Sequence, residues 1–206
     1  MTEAETETSQ EQAGPYPVLP RPVREALVRR DPDALAEFFD AYFDRLYGYV
    51  RRLVGSEHLA EDLTQDIFLH LHQALPKYDP SRDLRPWVFT IATNKVRDFW
   101  RSRRHRDSLR EQSMELDEEN TLDLPSDVDR PEQVLTQDEV DAGIREAVEQ
   151  LPDGLRTTVV MRVYEGMSFE EIGLVLDRNE VAVRKRYSRA LEVLRNTIGR
   201  QVAEGS

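Results

Sequence analysis

The stretch of sequence that decides the fold is MSFEEIGLVLDRNEVAVRKRYSRALEVLR, residues 167–195. Its spacing of apolar and polar residues predicts two short helices with a tight break between them. Ser168 and Glu171, three residues apart, form the pattern of a capping box at the start of the first helix. The break falls at residues 177–179, where Asn179 can cap the second helix.

The second of these helices has an apolar face and a basic face. Its apolar residues recur at helical spacing, at Val183, Tyr187, Ala190, Leu191 and Leu194. Four cations and a hydroxyl lie between them, at Arg184, Lys185, Arg186, Ser188 and Arg189. One face can therefore be buried while the other enters the major groove of DNA, as in a helix-turn-helix. The alternative for this stretch alone is a helical hairpin whose basic face is solvated.

The composition restricts the classes of protein to which the chain can belong. Its 206 residues are enough for one large or two small domains, and helical periodicity dominates. It has no cysteine, so we expect neither a disulfide nor a cysteine-ligated metal. His70 and His72 are two residues apart on a predicted helix and point to different faces. We therefore expect no metal site and no cofactor.

Neither the apolar runs nor the N-terminus indicates a membrane-spanning or secreted protein. No run approaches the roughly 18 apolar residues of a spanning helix. The N-terminus, MTEAETETSQEQ, is acidic and lacks the pattern of a signal peptide. We expect a cytoplasmic protein with no membrane insertion of its own.

The net charge of −12 argues at first against a nucleic-acid ligand. Its distribution argues the other way, because residues 1–20 carry a net −4 and residues 107–139 a net −10. The rest of the chain is therefore slightly basic, at +2. Local basic clusters, rather than the total charge, decide what a phosphate backbone would meet.

The chain divides into two predicted helical domains with polar segments around them. Residues 1–22 are acidic and then rich in proline, which predicts a disordered arm. Helical periodicity runs through residues 23–106 and again through residues 136–200, so the predicted fold class is all-α. Residues 107–135 are acidic and broken by prolines, which predicts a flexible linker, and residues 201–206 form a tail.

The first domain is predicted to contain three helices, over about residues 33–54, 59–75 and 86–103. The first of them carries an aromatic stripe that we assign to the core. On the second, Asp62, Gln65 and Asp66 share a flank. These residues either stabilise the N-terminal half of the helix or form an acidic face for a basic partner, and their spacing leaves both possibilities open.

The third predicted helix has a polar side that combines an amide, cations and an aromatic residue, at Asn94, Lys95, Arg97, Trp100 and Arg101. We expect Trp100 to be exposed there. Basic residues beside an exposed aromatic ring can neutralise and stack with single-stranded nucleic acid. The alternative is a helix C-terminus that is rich in arginine because cations favour the helix dipole.

Three segments of the first domain resemble region 2 of the extracytoplasmic-function (ECF) sigma factors, the compact two-domain members of the sigma-70 family. The segments are LAEFFDAYFDRLYGYVRRLVG, AEDLTQDIFLHLH and WVFTIATNKVRDFWRSRR. The segment LPDGLRTTVVMRVYEGMSFEEIGLVL is similar to region 4 of the same proteins. The resemblance covers about residues 33–106 and 136–198, and it implies two small helical domains joined by a linker.

The resemblance implies a promoter-specificity subunit of RNA polymerase that has no catalytic activity of its own. Its first domain would help to open DNA at the −10 element, and its second domain would read the −35 element. The implied partners are promoter DNA, an anti-sigma factor and core RNA polymerase, through the clamp of its largest subunit and the flap of its second-largest. A membrane-bound anti-sigma factor would hold the chain at the inner face of the membrane.

The resemblance also implies roles for individual residues. The polymerase clamp would be faced by Asp62, Gln65 and Asp66. The −10 element would be engaged by Tyr78, Arg85, Trp87, Asn94, Lys95, Arg97, Trp100 and Arg101. The −35 duplex would be met by Arg178, Arg184, Lys185, Arg186, Ser188 and Arg189.

The chain departs from the family pattern at two places. His72 stands where a tryptophan is frequent, and Asp177-Arg178-Asn179 replaces a turn of glycine, an apolar residue and then serine or proline. Asp177 can still adopt the left-handed conformation of such a turn. Arg178 does not suit an apolar socket, so we expect it to lie on DNA phosphate instead.

Three other interpretations of the sequence compete with that of a sigma factor. A stand-alone helix-turn-helix regulator explains residues 168–195 but leaves the motifs of residues 59–106 without a role. An enzyme that uses the acidic clusters lacks support, because the chain has no cysteine, four scattered histidines and no phosphate-cradling glycine loop. A helical scaffold leaves the basic faces unexplained.

Overall fold

The computed structural model describes residues 18–114 and 137–204, with side chains within 18–104 and 142–199. Over those ranges the chain is helical and contains no strand, which confirms the predicted all-α class. Its helices are α1 (Arg21–Val28), α2 (Pro32–Val54), α3 (Glu57–Ala74), α4 (Leu84–Met114), α5 (Gln137–Glu149), α6 (Asp153–Val159), α7 (Phe169–Leu176) and α8 (Glu180–Glu204). A 3₁₀ turn (Leu75–Lys77) follows α3, and α6 continues into a π-helical turn (Val160–Tyr164).

Helix α2 begins and ends close to where the sequence predicts. The Asp31 carboxylate accepts hydrogen bonds from the backbone N–H groups of Asp33 and Ala34, at 3.1 and 3.2 Å, and so caps the first turn. Pro32 occupies the first helical position, where an N–H group would have no partner within the helix. Gly55 ends the helix with a φ of 71°, a left-handed conformation that glycine adopts without steric cost.

Helices α2, α3 and α4 pack around the core of the first domain. Tyr49 of α2 is fully buried there, and its ring meets Phe89 of α4 edge-on at a centroid distance of 4.9 Å. The Thr93 hydroxyl donates to the Phe89 carbonyl at 2.6 Å, so the Tyr49 phenol is the donor in its own 2.8 Å bond to Thr93 Oγ1. Burial raises the pKa of this phenol and keeps it a neutral donor.

The structure corrects the end of the predicted disordered arm. Leu19 is buried and α1 begins at Arg21, so residues 19–22 are part of the folded domain. Residues 1–17 of the arm lie outside the described part of the chain. Pro20 is the residue before the first turn of α1, and Pro22 lies within that turn, where the fixed φ of proline suits a helix start. Helix α1 then buries Leu27 completely.

The structure also corrects the predicted start of the linker and the predicted start of the C-terminal tail. Helix α4 continues to Met114, into the segment 107–135 that was predicted as linker. No glycine or proline interrupts that part of the sequence, so the helix propagates through it. The rest of the predicted linker, residues 115–135, lies outside the described ranges. Helix α8 likewise continues to Glu204, into the predicted tail.

Helices α5 to α8 form the second domain. Met161, Met167 and Ile172 are fully buried and pack with Val183 of α8. A smaller cluster joins α6 to α8 and consists of Leu151, Val159 and Ala190. Between α5 and α7, the chain forms α6 and its π-helical turn, over Asp153–Val159 and Val160–Tyr164.

The two domains pack against each other, an arrangement that the sequence does not predict. Helix α7 lies on α4, and α2 contacts α5, α6 and the π-helical turn. Buried apolar residues of both domains, such as Val88 and Ile172, belong to one continuous core. The position of the second domain therefore decides which surfaces of the first remain open.

We expect the substitution Tyr49→Phe to lower the free energy of unfolding by about 1 kcal/mol, because it removes one buried hydrogen bond and leaves the Thr93 hydroxyl paired. Urea unfolding followed by circular dichroism measures the change. Tyr47→Phe, on the same helix and only half-buried, is the matched control and should change stability much less. An equal loss in both variants would contradict the role given to the Tyr49 phenol.

Candidate nucleic-acid interface

The helix-turn-helix of the second domain begins with the predicted capping box. Ser168 Oγ accepts a hydrogen bond from the Glu171 N–H at 3.0 Å, and Glu171 Oε2 accepts one from the Ser168 N–H at 2.6 Å. Asp177 ends α7 in the left-handed conformation, with φ 53° and ψ 54°. Asn179 Oδ1 then accepts from the Ala182 N–H at 2.8 Å and caps α8. All three predictions for this stretch are confirmed.

Gly173 is essential to the tight turn, and its role is not evident from the sequence pattern. A Cβ atom at this position would lie 2.6 Å from the carbonyl oxygen of Arg178, closer than such atoms can approach. The Arg178 N–H donates back to the Gly173 carbonyl at 2.9 Å. The close approach of the two backbones therefore requires glycine in the middle of α7, where a helix otherwise disfavours it.

The apolar face of α8 packs largely as predicted. Val183 and Ala190 are buried, and Tyr187 contacts the ring of Phe169 in α7 at a centroid distance of 5.6 Å. Leu191 is the exception, since it remains exposed. The packing holds the opposite side of α8 towards solvent.

Arg184 is exposed on that outer side, and two neighbours orient its guanidinium group. Its Nε donates to Glu180 Oε1 at 3.0 Å, one helical turn earlier. Its guanidinium carbon lies 4.6 Å from the centre of the Phe169 ring. Sequence reasoning did not connect Glu180 or Phe169 with Arg184, although a Glu–Arg pair at i, i+4 is a recognisable signal.

The other predicted −35 residues divide into two groups. Arg178, Lys185, Ser188 and Arg189 are exposed. Arg186 is half-buried, and its Nη1 would lie 3.7 Å from a Cβ atom at Gly154 of α6. Burial lowers the pKa of the Arg186 guanidinium, and the positive charges of Arg178 and Arg97 lower it further. Arg186 therefore points towards the body of the protein and not with Arg184.

The predicted −10 residues on α4 are also divided by the fold. Asn94 and Arg101 are exposed, and Lys95 and Arg97 are half-buried. Trp100 is only 8% exposed, which contradicts the expectation of an exposed aromatic ring. The guanidinium group of Arg156, from α6 of the second domain, lies over the Trp100 ring at 5.9 Å. The indole is covered in part by an element that its own sequence neighbourhood does not reveal.

The loop before α4 is held by a set of short hydrogen bonds. Tyr78 is buried, packs on Trp87 at 4.9 Å and donates to the Arg82 carbonyl at 2.5 Å. Asp79 Oδ1 accepts bonds from the hydroxyl and the N–H of Ser81, at 2.7 and 3.0 Å, and these bonds lower the pKa of the carboxyl group. Of the three aromatic residues predicted for the −10 element, Tyr78, Trp87 and Trp100, only Trp87 is partly exposed.

Arg85, the first cation of α4, reaches across to the second domain. It donates to the backbone carbonyl oxygen of Glu165 and lies 3.3 Å from Glu171 Oε1. Its side chain is 14% exposed. The predicted −10 cation is thus engaged by the same carboxylate that completes the capping box of α7.

The predicted polymerase-binding residues lie together on α3. Asp62, Gln65 and Asp66 are all exposed. Beside them, an apolar groove of about 540 Å³ runs between α2 and α3 and is lined by Phe39, Phe43, Gln65, Phe68, Leu69 and His72, among others. Leu69 is 60% exposed and does not lie on the face of α3 that buries Ile67 and Leu71, a signal that could have identified this groove. An acidic rim beside an apolar groove suits a partner with both basic and apolar side chains.

The described residues, 18–114 and 137–204, contain neither a metal-binding cluster nor a membrane-spanning helix. Among their side chains, no three histidine or acidic residues come close enough together to hold a metal ion. None of the helices described is both long and apolar enough to cross a membrane.

Two family models match the chain. The model described as Sigma-70 region 2 matches residues 38–106, and the model described as Sigma-70, region 4 matches residues 142–194. The first match contains the acidic face of α3 and the basic side of α4. The second contains the whole helix-turn-helix.

Relatives that match about four fifths of the chain agree with these two family matches. RNA polymerase sigma factor CarQ of Myxococcus xanthus is 33% identical over 171 residues, which are 81% of this chain and 90% of CarQ. ECF RNA polymerase sigma factor SigE of Mycolicibacterium smegmatis is 31% identical over 168 residues, 82% of this chain but 63% of SigE. The solved structure of CnrH in complex with the cytosolic domain of CnrY shares the fold, with a TM-score of 0.64 at 22% identity over 87% of this chain and 96% of CnrH.

We expect Gly173→Ala to destabilise the protein by about 1–3 kcal/mol, because the added methyl group would collide with the Arg178 carbonyl. Gly143→Ala in α5 is the control, since nothing lies within 4 Å of a Cβ atom there. That control should stabilise its helix by about 0.5–1 kcal/mol. Thermal unfolding of both variants measures the difference, and equal effects would contradict the steric argument.

Proposed function

Because this chain belongs to the extracytoplasmic-function sigma factors of the sigma-70 family, we propose that it binds core RNA polymerase and directs it to promoters for transcription initiation. The observation that carries this proposal is the order of its parts. A region 2 match with an acidic face and a basic helix precedes a region 4 match with an intact, capped helix-turn-helix.

In the second domain, α8 is the helix proposed to enter the major groove at the −35 element. Its exposed cations, with Arg184 held by Glu180 and Phe169, face away from the packed side. An oriented guanidinium group such as that of Arg184 can donate two hydrogen bonds to one guanine. Lys185 and Arg189 can bind either a base or a phosphate. We assign Arg178, at the turn, to the DNA backbone and not to a base.

In the first domain, α4 is the helix proposed to engage the −10 element. Asn94 offers an amide that can read the edge of an unpaired base, and Lys95, Arg97 and Arg101 can neutralise the phosphates beside it. The partly open Trp87 offers a ring face for stacking. Tyr78, Arg85 and Trp100 can contribute only where the second domain or the loop releases them.

The acidic face of α3 is the proposed contact with the polymerase clamp, and the adjoining groove would take apolar side chains of the same partner. The second domain would meet the flap of the second-largest subunit. A stand-alone helix-turn-helix regulator is the less favoured function, because it does not account for a region 2 match over residues 38–106.

The proposed function also implies the absence of catalysis, an inhibitor protein and a location in the cell. Sigma factors are not enzymes, and we assign no catalytic residue to this chain. CnrH, which shares its fold, was solved with the cytosolic domain of CnrY. We propose a protein inhibitor for this chain as well, an anti-sigma factor, and a cytoplasmic location that shifts to the inner face of the membrane where that inhibitor is membrane-bound.

The proposal is tested by transcription in vitro with purified core polymerase on a library of genomic fragments. Transcripts that begin downstream of a shared pair of sequence boxes are expected only when the chain is added. Binding of the folded chain to promoter DNA without any binding to core polymerase would instead favour the stand-alone regulator.

Neutralising Asp62 and Asp66 together, as Asn, should weaken binding to core polymerase by at least about tenfold, because exposed charges at an interface steer and orient the partner. The matched control is Glu37→Gln with Asp44→Asn, which removes the same charge from exposed positions of α2. Binding is measured by fluorescence anisotropy with labelled chain. Equal weakening by both pairs would show that net charge, and not this face, matters.

Replacing Arg184 by Ala should weaken promoter-specific binding of the assembled polymerase by about tenfold or more, since one good base contact is worth about 1–3 kcal/mol. Arg195→Ala, an exposed arginine further along α8, should have little effect. Core binding should be unchanged in both variants. Loss of core binding in Arg184→Ala would mean that the two functions are assigned to the wrong domains.

A further inference from the structure

We propose that Val181, in the first turn of α8, is a specificity-determining residue that packs on the C5-methyl group of a thymine in the −35 element. The inference rests on the proposed function, since it assumes that α8 enters the major groove. It deepens that function, because the cations assigned to the −35 duplex read guanine or phosphate, and neither selects an A·T pair. Three observations on α8 carry it.

The first observation is the direction of the Val181 side chain. Successive residues of an α-helix are turned by about 100° around its axis, so Val181 lies about 180° from Ala190 and about 160° from Val183. Ala190 and Val183 are buried, whereas Val181 is 63% exposed. The valine therefore stands at the middle of the outer side of α8.

The second observation is that the fold gives the Val181 side chain no task. It belongs to neither of the two buried clusters of the described residues. The cap of α8 is made by Asn179, whose Oδ1 accepts from the backbone N–H of Ala182. A β-branched residue also lowers helix propensity relative to alanine, so valine does not stabilise this turn. A single exposed apolar residue needs no explanation by itself, and its surroundings decide what it can do.

The third observation is the set of groups around Val181. Arg184, Lys185 and Ser188 follow it at i+3, i+4 and i+7, which places all four side chains on one side of the helix. All four are exposed, and Glu180 Oε1 accepts from Arg184 Nε at 3.0 Å. The N-terminal residues of a recognition helix are those that reach base edges. An apolar group thus stands among hydrogen-bond donors at the end of α8 that would enter the groove.

Thymine is the base that such a group fits. Its C5-methyl group is the apolar feature of the major groove, whereas the distinctive groups of the other three bases are hydrogen-bond donors and acceptors, which an aliphatic side chain cannot satisfy. Side chains three residues apart on a helix are about 5–6 Å apart at Cβ, and successive bases of one strand are about 3.4 Å apart along the axis. The thymine should therefore lie within about two base pairs of the guanine that Arg184 reads.

The contact is tested with uracil, which pairs like thymine but lacks the methyl group. Each thymine of the −35 box found by transcription in vitro is replaced in turn by deoxyuridine in a labelled promoter duplex. Fluorescence anisotropy measures the binding of core polymerase assembled with the chain. One replacement, close to the guanine, should weaken binding by about threefold to fourfold, the factor expected for one buried methyl group.

Val181→Ala should weaken binding to the thymine duplex by a similar factor and leave binding to the uracil duplex nearly unchanged, because both changes remove the same contact. Val181→Thr keeps one methyl group and the β-branched shape, so it should retain part of the sensitivity to uracil. Val163→Ala is the matched control, since Val163 is 55% exposed and lies outside the helix-turn-helix. It should keep the full sensitivity to uracil.

A −35 box with no thymine close to the guanine on either strand would overturn the inference, as would a full effect of uracil in Val181→Ala. Equal weakening of that variant on both duplexes would also overturn it, since the valine would then contact polymerase or the sugar-phosphate backbone. Circular dichroism checks that each variant is folded, and Val181→Ser takes the place of Val181→Ala if the latter is not. Failure of polymerase assembled with the unmodified chain to bind the promoter would reject the proposed function, and the inference with it. Promoter binding without a uracil effect that depends on Val181 would reject the inference alone.

Discussion

The carboxylate of Glu171 both caps α7 and contacts the first domain. One of its oxygens accepts the Ser168 N–H and so starts the helix-turn-helix, and the other lies 3.3 Å from Arg85 of the first domain. Local capping therefore fixes the position of a group that acts at long range. Because α7 is only eight residues long, its direction depends strongly on this first turn and on the Asp177 turn at its end. The orientation of α8 and the docking of the second domain onto α4 both follow from it.

The features that the sequence predicts correctly are those decided by neighbours along the chain. The capping box, the Asn179 cap and the left-handed Asp177 each depend on two to four consecutive residues, and each is present. The apolar periodicity of α2 and α8 likewise identifies the buried residues Tyr49 and Val183. Exposure of Asp62, Gln65 and Asp66 follows from their position off the apolar seam, whereas the role of this face in polymerase binding remains a prediction.

The features that the sequence does not predict depend on contacts between distant elements. Trp100 was expected to be exposed because its helix neighbours are polar, but Arg156 and the second domain cover that side. Arg186 falls among the cations of α8, yet it turns towards Gly154 and the first domain. Gly173 is a poor helix former whose necessity arises from the Arg178 carbonyl, five residues later and in the next turn. The sequence does not predict α1, because prolines are typical of extended segments and also of the first turn of a helix.

The polar contacts between the two domains depend on three arginines, Arg85, Arg104 and Arg156, and each contact is modest. The Arg104–Asp153 pair is largely exposed on the arginine side, and such pairs contribute about 0–1 kcal/mol. Arg85 and Arg156 donate to backbone carbonyls of the partner domain, and a hydrogen bond with a charged donor contributes about 1.5–3 kcal/mol. Arg97 of the first domain and Arg186 of the second are both positively charged, so their proximity opposes the packing of the two domains. Arginine suits these contacts because its planar set of donors fits a carboxylate as well as a backbone carbonyl. The packing of the second domain on the first therefore depends on a few polar contacts around the shared apolar core, and their geometry is fixed by the start of α6 and by the capped start of α7.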